Sequence, residues 1–516
     1  MPEITLFPQP QQLESRAGAF TINAHTRLFA ADAALGERLA GYLRPATGFD
    51  LPVYPLDDDI ITDVANVILL LPSAEEEAVE AYKLDVAPER VTLSAGERSG
   101  FLHAMQTLRQ LLPQHILTEG PQSDVEWTVP CVIISDAPAF GWRGLHLDVG
   151  RHMFSVEFIK KFIDTMAFYK FNIFHWHLTE DQGWRLEIKK YPRLTEIGSQ
   201  RAETPIPADP KQWDGQPYGG YYTQDEVRDI VTYAAERGIT VMPEIELPGH
   251  SLAALTAYPH LGCVGEGYEV RTTWGIDSNI YCAGNDEVFS FLQDVLEEVL
   301  ALFPSEYIHI GGDEAPKERW RTCPKCQARI KAEGLADEDE LQSWFIRRIE
   351  SWLNERGRRL VGWDEILEGG LAPNATVMSW RGSDGGIAAA NAGHDVIMTP
   401  NTYCYLDYYQ HEYWTPEPPA ISSTLTLEQV WQNVVVPEQI APELRHHILG
   451  GQGNIWTEYI PTAKHVEYMA FPRAIALADI LWNQPDDRNY AALLARLKAH
   501  LPCLESLGVN YRPLDD

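Results

Sequence analysis

The stretch Tyr307-Ile308-His309-Ile310-Gly311-Gly312-Asp313-Glu314 decides how the rest of the chain is read. A short, mostly apolar run meets two glycines, a turn signal, and the turn delivers two adjacent carboxylates. A strand in a parallel barrel should be nearly continuous apolar, so polar residues gathered at its C-terminal end are the ones to question. Working outward, the same pattern recurs. Candidate strands lie at Gly144–Val149, Asn172–Leu178, Thr240–Ile245, Tyr307–Gly311, Arg359–Trp363, Thr376–Trp380, Asp395–Thr399 and Ile448–Ile455. Helical stretches stand between most of them, at Ser155–Lys170, Thr223–Gly238, Asp286–Phe303 and Asp337–Gly357, with another at Thr462–Trp482. Strands alternating with helices in this number predict an α/β fold, a (β/α)8 TIM barrel. Only about ten residues separate the fifth and sixth strands, too few for a crossover helix, so the fifth helix is expected to be missing. A doubly wound open sheet is the alternative, but no GxGxxG or GxxxxGK follows any of these strands.

Local chemistry supports the helices. Ser155 can cap the first, where Phe158, Ile159, Phe162, Ile163 and Met166 fall on one face. Thr223-Gln224-Asp225-Glu226 reads as a capping box. Upstream, residues 1–137 alternate short strands such as Asn66–Leu71 and Tyr82–Val86 with a helix near Gly100–Leu112, and prolines at 8, 10, 52, 55, 72 and 88 break the segment into pieces. It reads as a small α+β accessory domain with no catalytic pattern. The barrel and its C-terminal helices then occupy 138–516.

The 516 residues carry 41 Lys and Arg against 74 Asp and Glu, a net charge of −33. That balance argues against a nucleic-acid or anionic-membrane partner, which would need clustered cations. Hydrophobic residues at 45% and charged residues at 22% are globular values, so the acid surplus does not signal disorder. No stretch approaches 18 continuous apolar residues, so no membrane span is expected. Met1-Pro2-Glu3-Ile4-Thr5 lacks a basic and apolar leader, which points to the cytoplasm, or to a secreted or periplasmic protein if a leader has been trimmed. The seven cysteines are odd in number and scattered, unlike a disulfide framework. Cys323-Pro324-Lys325-Cys326 has zinc-ligand spacing, but no second pair stands at suitable spacing, so the two read as free thiols of a loop.

At the strand ends the inventory is acidic and aromatic. It comprises Asp148 and Arg151, His175, His177, Glu180 and Asp181, Glu246 and His250, Asp313 and Glu314, Trp363, Asp364 and Glu365, Trp380, Tyr405 and Asp407, Trp456 and Glu458. His175-x-His177 suits a metal-dependent hydrolase only if later strands add ligands, and strands five and six offer Trp instead, so these histidines read as satisfying buried hydrogen bonds. No GxSxG supports a serine hydrolase. Carboxylates among indoles fit a carbohydrate, whose C–H faces pack on rings and whose hydroxyls bond acids. Glycoside cleavage needs an acid to protonate the leaving oxygen, a role Glu314 suits. Asp313, immediately before it, is awkward as a second carboxylate across the sugar ring. Substrate assistance resolves this: a 2-acetamido carbonyl attacks the anomeric carbon, Asp313 holds the amide N–H, a Tyr hydroxyl bonds the carbonyl oxygen, and a box of Trp presses on the methyl group. Glu365 as the nucleophile of an ordinary retaining enzyme is the competing assignment.

Taken together, the motifs resemble glycoside hydrolase family 20, the β-N-acetylhexosaminidases. The resemblance runs from Phe140 to about Trp482 and rests most on His309-Ile310-Gly311-Gly312-Asp313-Glu314. Supporting blocks are Asp148–His152, His175–Arg185, Pro243–His250 and Gly362–Glu365, and residues 1–137 resemble the small domain that commonly precedes the family's barrel. The resemblance implies an exo-acting retaining enzyme that removes terminal N-acetyl-D-hexosamine, GlcNAc or GalNAc, through an oxazolinium intermediate, without metal or organic cofactor. It implies Asp313 as the polarising acid and Glu314 as acid/base. Arg151 would bind the O3/O4 side of the sugar, and Asp407 and Glu458 its O4 and O6 hydroxyls. Tyr405 would bond the acetamido oxygen, Trp363, Trp380 and Trp456 would wall its pocket, and His250 would link Glu314 to the acid at position 180. The family often has Asp-Asp where this chain has Glu180-Asp181, so either acid can be the partner, with Glu180 preferred. Asp148 is expected to fix Arg151, and Trp414 with the run Tyr403–Tyr413 to line an aglycone subsite or pack a loop. A catalytically silent sugar-binding paralogue and a relative releasing disaccharides, like a lacto-N-biosidase, stay as alternatives. The oligomeric state is not legible.

Overall fold

In a computed structural model, residues 4–56, 65–73, 78–412, 417–485 and 488–514 are described. Eight parallel strands close into a barrel in chain order: β1 (Trp142–Asp148), β2 (Ile173–His177), β3 (Thr240–Leu247), β4 (Tyr307–Gly311), β5 (Arg359–Trp363), β6 (Thr376–Ser379), β7 (Val396–Met398) and β8 (Ile448–Gly453). Each lies within a few residues of its expected place, because each is a short apolar run bounded by polar or glycine-rich turns. Helices Val156–Phe168, Gln224–Ala235, Asp286–Leu302, Glu338–Asn354 and Asp384–Asn391 fill connections between consecutive strands. Thr223 and Glu226 form the capping box, while Asn285 and Asp337 accept first-turn N–H groups and satisfy donors that a helix leaves open. Between β5 and β6 there is only the 3-10 turn Asp364–Leu367, so the fifth helix is indeed absent. The expected helix Thr462–Trp482 is two helices, Ala463–Ala470 and Arg473–Asn483, interrupted at Pro472, whose ring nitrogen has no hydrogen to donate.

The register of the strands builds a polar layer inside the barrel. Glu244 on β3 is in register with His177 on β2 and His309 on β4. Fully buried, it lies 2.5 Å from His177 Nδ1, 3.0 Å from His175 Nε2 and 2.8 Å from His309 Nδ1, and accepts the Trp363 indole N–H at 2.9 Å. Of the strand histidines, His177 is hydrogen-bonded to this carboxylate, while His175 and His309 lie against it at ion-pair distance, His309 Nδ1 accepting the Gly311 N–H at 3.0 Å. Burial opposes the charge on Glu244, but His309, His177 and His175 outweigh it and hold its pKa well below the usual range. Burial likewise opposes charge on His177, yet Glu244 and Glu180 push it up to about 10, while burial dominates at His175 and lowers it to about 4.

The chain forms two compact units, one of Met1–Arg143, Asp164–Asn172 and Phe471–Asp516, the other of Gly144–Ile163 and Ile173–Ala470. The first contains a seven-stranded mixed sheet in the order Gln12–Thr21, Thr128–Asp136, Tyr82–Ala87, Arg90–Ala95, Val67–Pro72, Arg27–Ala30, Val53–Pro55. Helices Ala33–Thr47 and Arg98–Leu111 bury Leu39, Leu43, Met105 and Leu108 in its core, giving the α+β domain expected from the sequence. The helix Tyr490–Ser506 belongs to this unit, not to the barrel with which the sequence reading groups it. Also in this unit, Lys170 and Asp136 form a fully buried ion pair at 3.0 Å, completed by the Tyr82 hydroxyl and the Trp482 indole N–H.

The seven cysteines are free thiols. The expectation that Cys323 and Cys326 are two thiols of one loop is too small: Cys263 and Cys282 come from the connection after β3 and lie against them. These partners are separated from Cys323 and Cys326 by tens of residues with no fixed spacing, so no motif announces them.

Candidate active site

A cavity of about 150 Å³ opens at the C-terminal end of the barrel. Its lining includes all eleven residues singled out from the sequence: Arg151 after β1, Glu180 after β2, His250 after β3, Asp313 and Glu314 after β4, Trp363 closing β5, Trp380 after β6, Tyr405 and Asp407 after β7, and Trp456 and Glu458 after β8. Three more residues line it: Tyr408, from the run Tyr403–Tyr413 expected at an aglycone subsite or in loop packing, and Glu246 and Ile421, to which no role was assigned. Glu246 stands two residues past Glu244 on β3, hence on the same face, a period that would have pointed to it. Ile421 has no such signal. Tyr413 and Trp414 fall outside the described residues.

The turn after β4 sets the two adjacent acids. Gly311 and Gly312 take φ of +66° and +88°, and a Cβ on Gly311 would fall 1.8 Å from Glu246 Oε2, so only glycine allows this approach. Glu314 itself has φ +44° and His250 φ +46°, left-handed values that cost backbone strain in residues bearing side chains. Both bear on one contact: His250 Nε2 lies 3.4 Å from Glu314 Oε2 and 3.7 Å from Asp313 Oδ2. The other imidazole nitrogen, Nδ1, is 2.8 Å from Glu180 Oε1 and 3.7 Å from Asp181 Oδ2, so Glu180 is the nearer acid. Asp181 instead accepts the Leu252 N–H at 2.9 Å. Burial opposes charge on His250, but Glu180, Asp181 and Glu314 outweigh it and raise its pKa well above the usual histidine range.

Asp313 is buried, and its Oδ1 has no hydrogen-bond partner among the described residues. Burial, set against the pull of His250 and reinforced by Glu365 and Glu314, pushes its carboxyl well above the ordinary range. Both oxygens of Glu246 are also buried without a hydrogen-bond partner, and burial together with Asp313 and Glu244 pushes that carboxyl well up. Glu314 is more open, its side chain 34% exposed.

After β1, Asp148 accepts the Gly150 and Arg151 N–H groups and pairs with Arg151 Nη1 at 3.2 Å. Arg151 also reaches Glu180 at 3.2 Å and Glu458 at 3.8 Å. Burial opposes its charge, but Glu180, Glu458 and Asp148 outweigh it and raise its pKa further. The indoles are held individually: Trp363 by Glu244, and Trp380 by Glu365 Oε2, which accepts its N–H at 2.8 Å. Glu365 therefore supports an indole and is not among the cavity's lining residues. Trp380 stacks on Tyr405 with ring centres 6.0 Å apart, and Trp363 lies 5.8 Å from Trp456. Burial, with Asp407 adding, raises Tyr405 well above the usual phenol range and keeps its hydroxyl a donor.

A closed (β/α)8 barrel whose C-terminal rim gathers acids, one arginine and three indoles around a pocket is the architecture of a sugar-cleaving hydrolase. Residues 140–485 match the family described as "Glycosyl hydrolase family 20, catalytic domain", and residues 3–137 match "Glycosyl hydrolase family 20, domain 2". A beta-hexosaminidase of Porphyromonas gingivalis is 46% identical over 98% of this chain, which spans 64% of that relative's length. A Vibrio harveyi GH20 exo beta-N-acetylglucosaminidase, solved in complex with N-acetylglucosamine, is 34% identical with a TM-score of 0.85, covering 99% of this chain and 80% of that one. A mutant Streptomyces plicatus beta-hexosaminidase in complex with product GlcNAc is 30% identical with a TM-score of 0.85, covering 100% and 97%. The chain belongs to glycosyl hydrolase family 20.

Proposed function

We propose that this chain is an exo-acting, retaining β-N-acetylhexosaminidase that cleaves terminal N-acetyl-D-hexosamine from oligosaccharides or glycoconjugates by substrate assistance. The observation that carries the reading is the pair Asp313–Glu314: one carboxylate buried with an unbonded oxygen at the cavity, the other partly open to solvent, both within 3.7 Å of one histidine. The family membership and the relatives with bound N-acetylglucosamine support the sugar.

In this mechanism Arg151, Asp407 and Glu458 hold the ring hydroxyls. Trp363, Trp380 and Trp456 press the acetamido methyl, and Tyr405 donates to the acetamido oxygen, aiming it at the anomeric carbon. As the C–O bond to the leaving group breaks, Glu314 gives that oxygen its proton, and the acetamido oxygen bonds to the anomeric carbon from the other face. Asp313 accepts the amide N–H and stabilises the positive charge of the oxazolinium. Glu314, now a carboxylate, takes a proton from the water that opens the ring, so configuration is retained. His250, tied to Glu180, orients Glu314.

Glu314→Gln is expected to lower kcat/KM by about 10²–10⁴ on substrates with poor leaving groups and by less on activated aryl glycosides. Asp313→Asn should slow formation of the cyclic intermediate on both. Because burial raises Asp313 and its anion is the useful form, kcat/KM should climb with pH through a range above that of an ordinary aspartate. Equal rates on aryl β-glucosides and their 2-acetamido counterparts would sink substrate assistance. Release of a disaccharide from an extended glycan would favour the lacto-N-biosidase-like alternative, and paired aryl GlcNAc and GalNAc substrates set the preference at O4.

A further inference from the structure

Four cysteines from two connections of the barrel meet at one point. Cys282 Sγ lies 3.7 Å from Cys323 Sγ and 3.6 Å from Cys326 Sγ, Cys263 Sγ lies 3.8 Å from Cys326 Sγ, and all four sulfurs fall within 4.8 Å of one another. We propose that these four thiolates bind one zinc ion in a structural site. The geometry is the argument. A tetrahedron with Zn–S bonds of about 2.3 Å has S···S edges of about 3.8 Å. A disulfide would bring its two sulfurs to about 2.05 Å. The observed separations are the edges of the first figure and nearly twice the second.

The backbone around the cluster is built to hold it. Gly262 pairs with Tyr281 in an antiparallel bridge and the Cys282 N–H donates to Leu261 at 2.9 Å, which sets Cys263 beside Cys282. The Trp320 indole donates to the Tyr281 carbonyl at 2.9 Å, docking the segment that leads into Cys323. Cys323 precedes helix Pro324–Glu333 and Cys326 sits in its first turn, where unpaired backbone N–H groups and the helix dipole favour thiolate charge. The two loops pack backbone to backbone: a Cβ on Gly284 would fall 2.1 Å from the Lys325 carbonyl carbon and 2.4 Å from the Cys326 nitrogen. Cys282 and Cys326 are fully buried and Cys323 nearly so, while Cys263 is the partly open edge through which an ion enters.

Four soft sulfur donors in a closed tetrahedral set select zinc among abundant divalent ions and leave no position for substrate or water. On binding, four Zn–S bonds form and four thiol protons are released to solvent. The ion would tie the connection that carries His250 to the one that carries Asp313 and Glu314, nine residues before Cys323. It frames the acid without touching the reaction.

Elemental analysis of the full chain, purified under reducing conditions from zinc-supplemented culture, is expected to find one zinc per chain. Cobalt(II) added to metal-stripped protein should give intense sulfur-to-cobalt charge-transfer bands and the strong visible bands of tetrahedral cobalt. Cys282→Ser and Cys326→Ser should lose the zinc, whereas Cys131→Ser and Cys503→Ser should retain it. If the two ligand variants fail to fold, zinc content and cobalt spectrum of the unsubstituted chain decide. The proposal is overturned if that chain holds no stoichiometric zinc, if cobalt shows no sulfur charge transfer, or if peptide mapping finds these cysteines joined in disulfides in freshly purified protein.

Discussion

Glu365 shows how much one carboxyl's surroundings dictate. Burial raises it to about 7, against the partial relief of the Trp380 N–H. A folded-state pKa above the unfolded one means the native state binds the extra proton between about 4.5 and 7, so the contribution to stability is full below that window and lost as pH rises through it. Glu365→Gln keeps a side chain of the same shape and removes the titration. Its melting temperature relative to the unsubstituted chain should therefore climb as pH is taken from 5 to 8 in parallel thermal scans, and a constant difference would show that Glu365 does not titrate there. At this scale, which residues meet at the cavity is legible in the sequence where a residue type is chemically unusual for its place, as with Asp313, Glu314 or three indoles on a barrel rim. Glu246 escaped because Glu244 and Glu246 look alike in the sequence. Only the register separates them, sending one into a cage of histidines and the other to the cavity with both oxygens unbonded.

Among elements, the β5–β6 connection stands apart. With no helix, it relies on the 3-10 turn whose Asp364 accepts the Trp380 backbone N–H at 2.9 Å, the Arg381 backbone N–H at 3.0 Å and the Arg381 Nε–H at 2.6 Å. Asp364→Ala would leave two backbone amides without their acceptor and release the partly exposed Arg381 guanidinium, a loss of about 1–3 kcal/mol. The expected result is a lower urea midpoint together with a raised KM, because Trp380 loses its backbone anchor. An unchanged KM would show that Glu365 alone positions the indole. The absent helix was legible from residue count, and the eight strands from apolar runs with polar ends. The interruption at Pro472 was written in the sequence but submerged by the apolar periodicity on either side. Cys263 and Cys282 were not legible at all, since sulfurs on separate loops meet only once the barrel has set the loops.

For the molecule as a whole, the net charge of −33 is mostly a property of the solvated surface, and fewer than a dozen of its acids line the cavity. Like charges repel more in the compact chain than in the extended one, and salt screens them over roughly 8–10 Å near physiological strength. Moving from 10 to 300 mM sodium chloride at pH 7.5 should raise the melting temperature. A fall would mean that attractive pairs such as Arg151 with Glu180 dominate the balance. Among the described residues no helix is long and apolar enough to cross a membrane.

The crowding of Asp313, Glu246, Glu314, Glu180 and Glu458 around one small cavity has a further meaning for ligands. Burial and mutual repulsion there hold protons on Asp313 and Glu246 well above the ordinary carboxylate range, while Glu180 is already paired with Arg151 and His250; an uncharged sugar leaves that repulsion unrelieved. A ring-shaped amine with the hydroxyl pattern of the sugar, protonated where the oxazolinium charge would lie, would draw the proton off Asp313 and pair with its anion. Its affinity should exceed that of the neutral sugar and shrink as acidification neutralises the pocket, so inhibitor titrations at several pH values would read the site's electrostatics without any turnover.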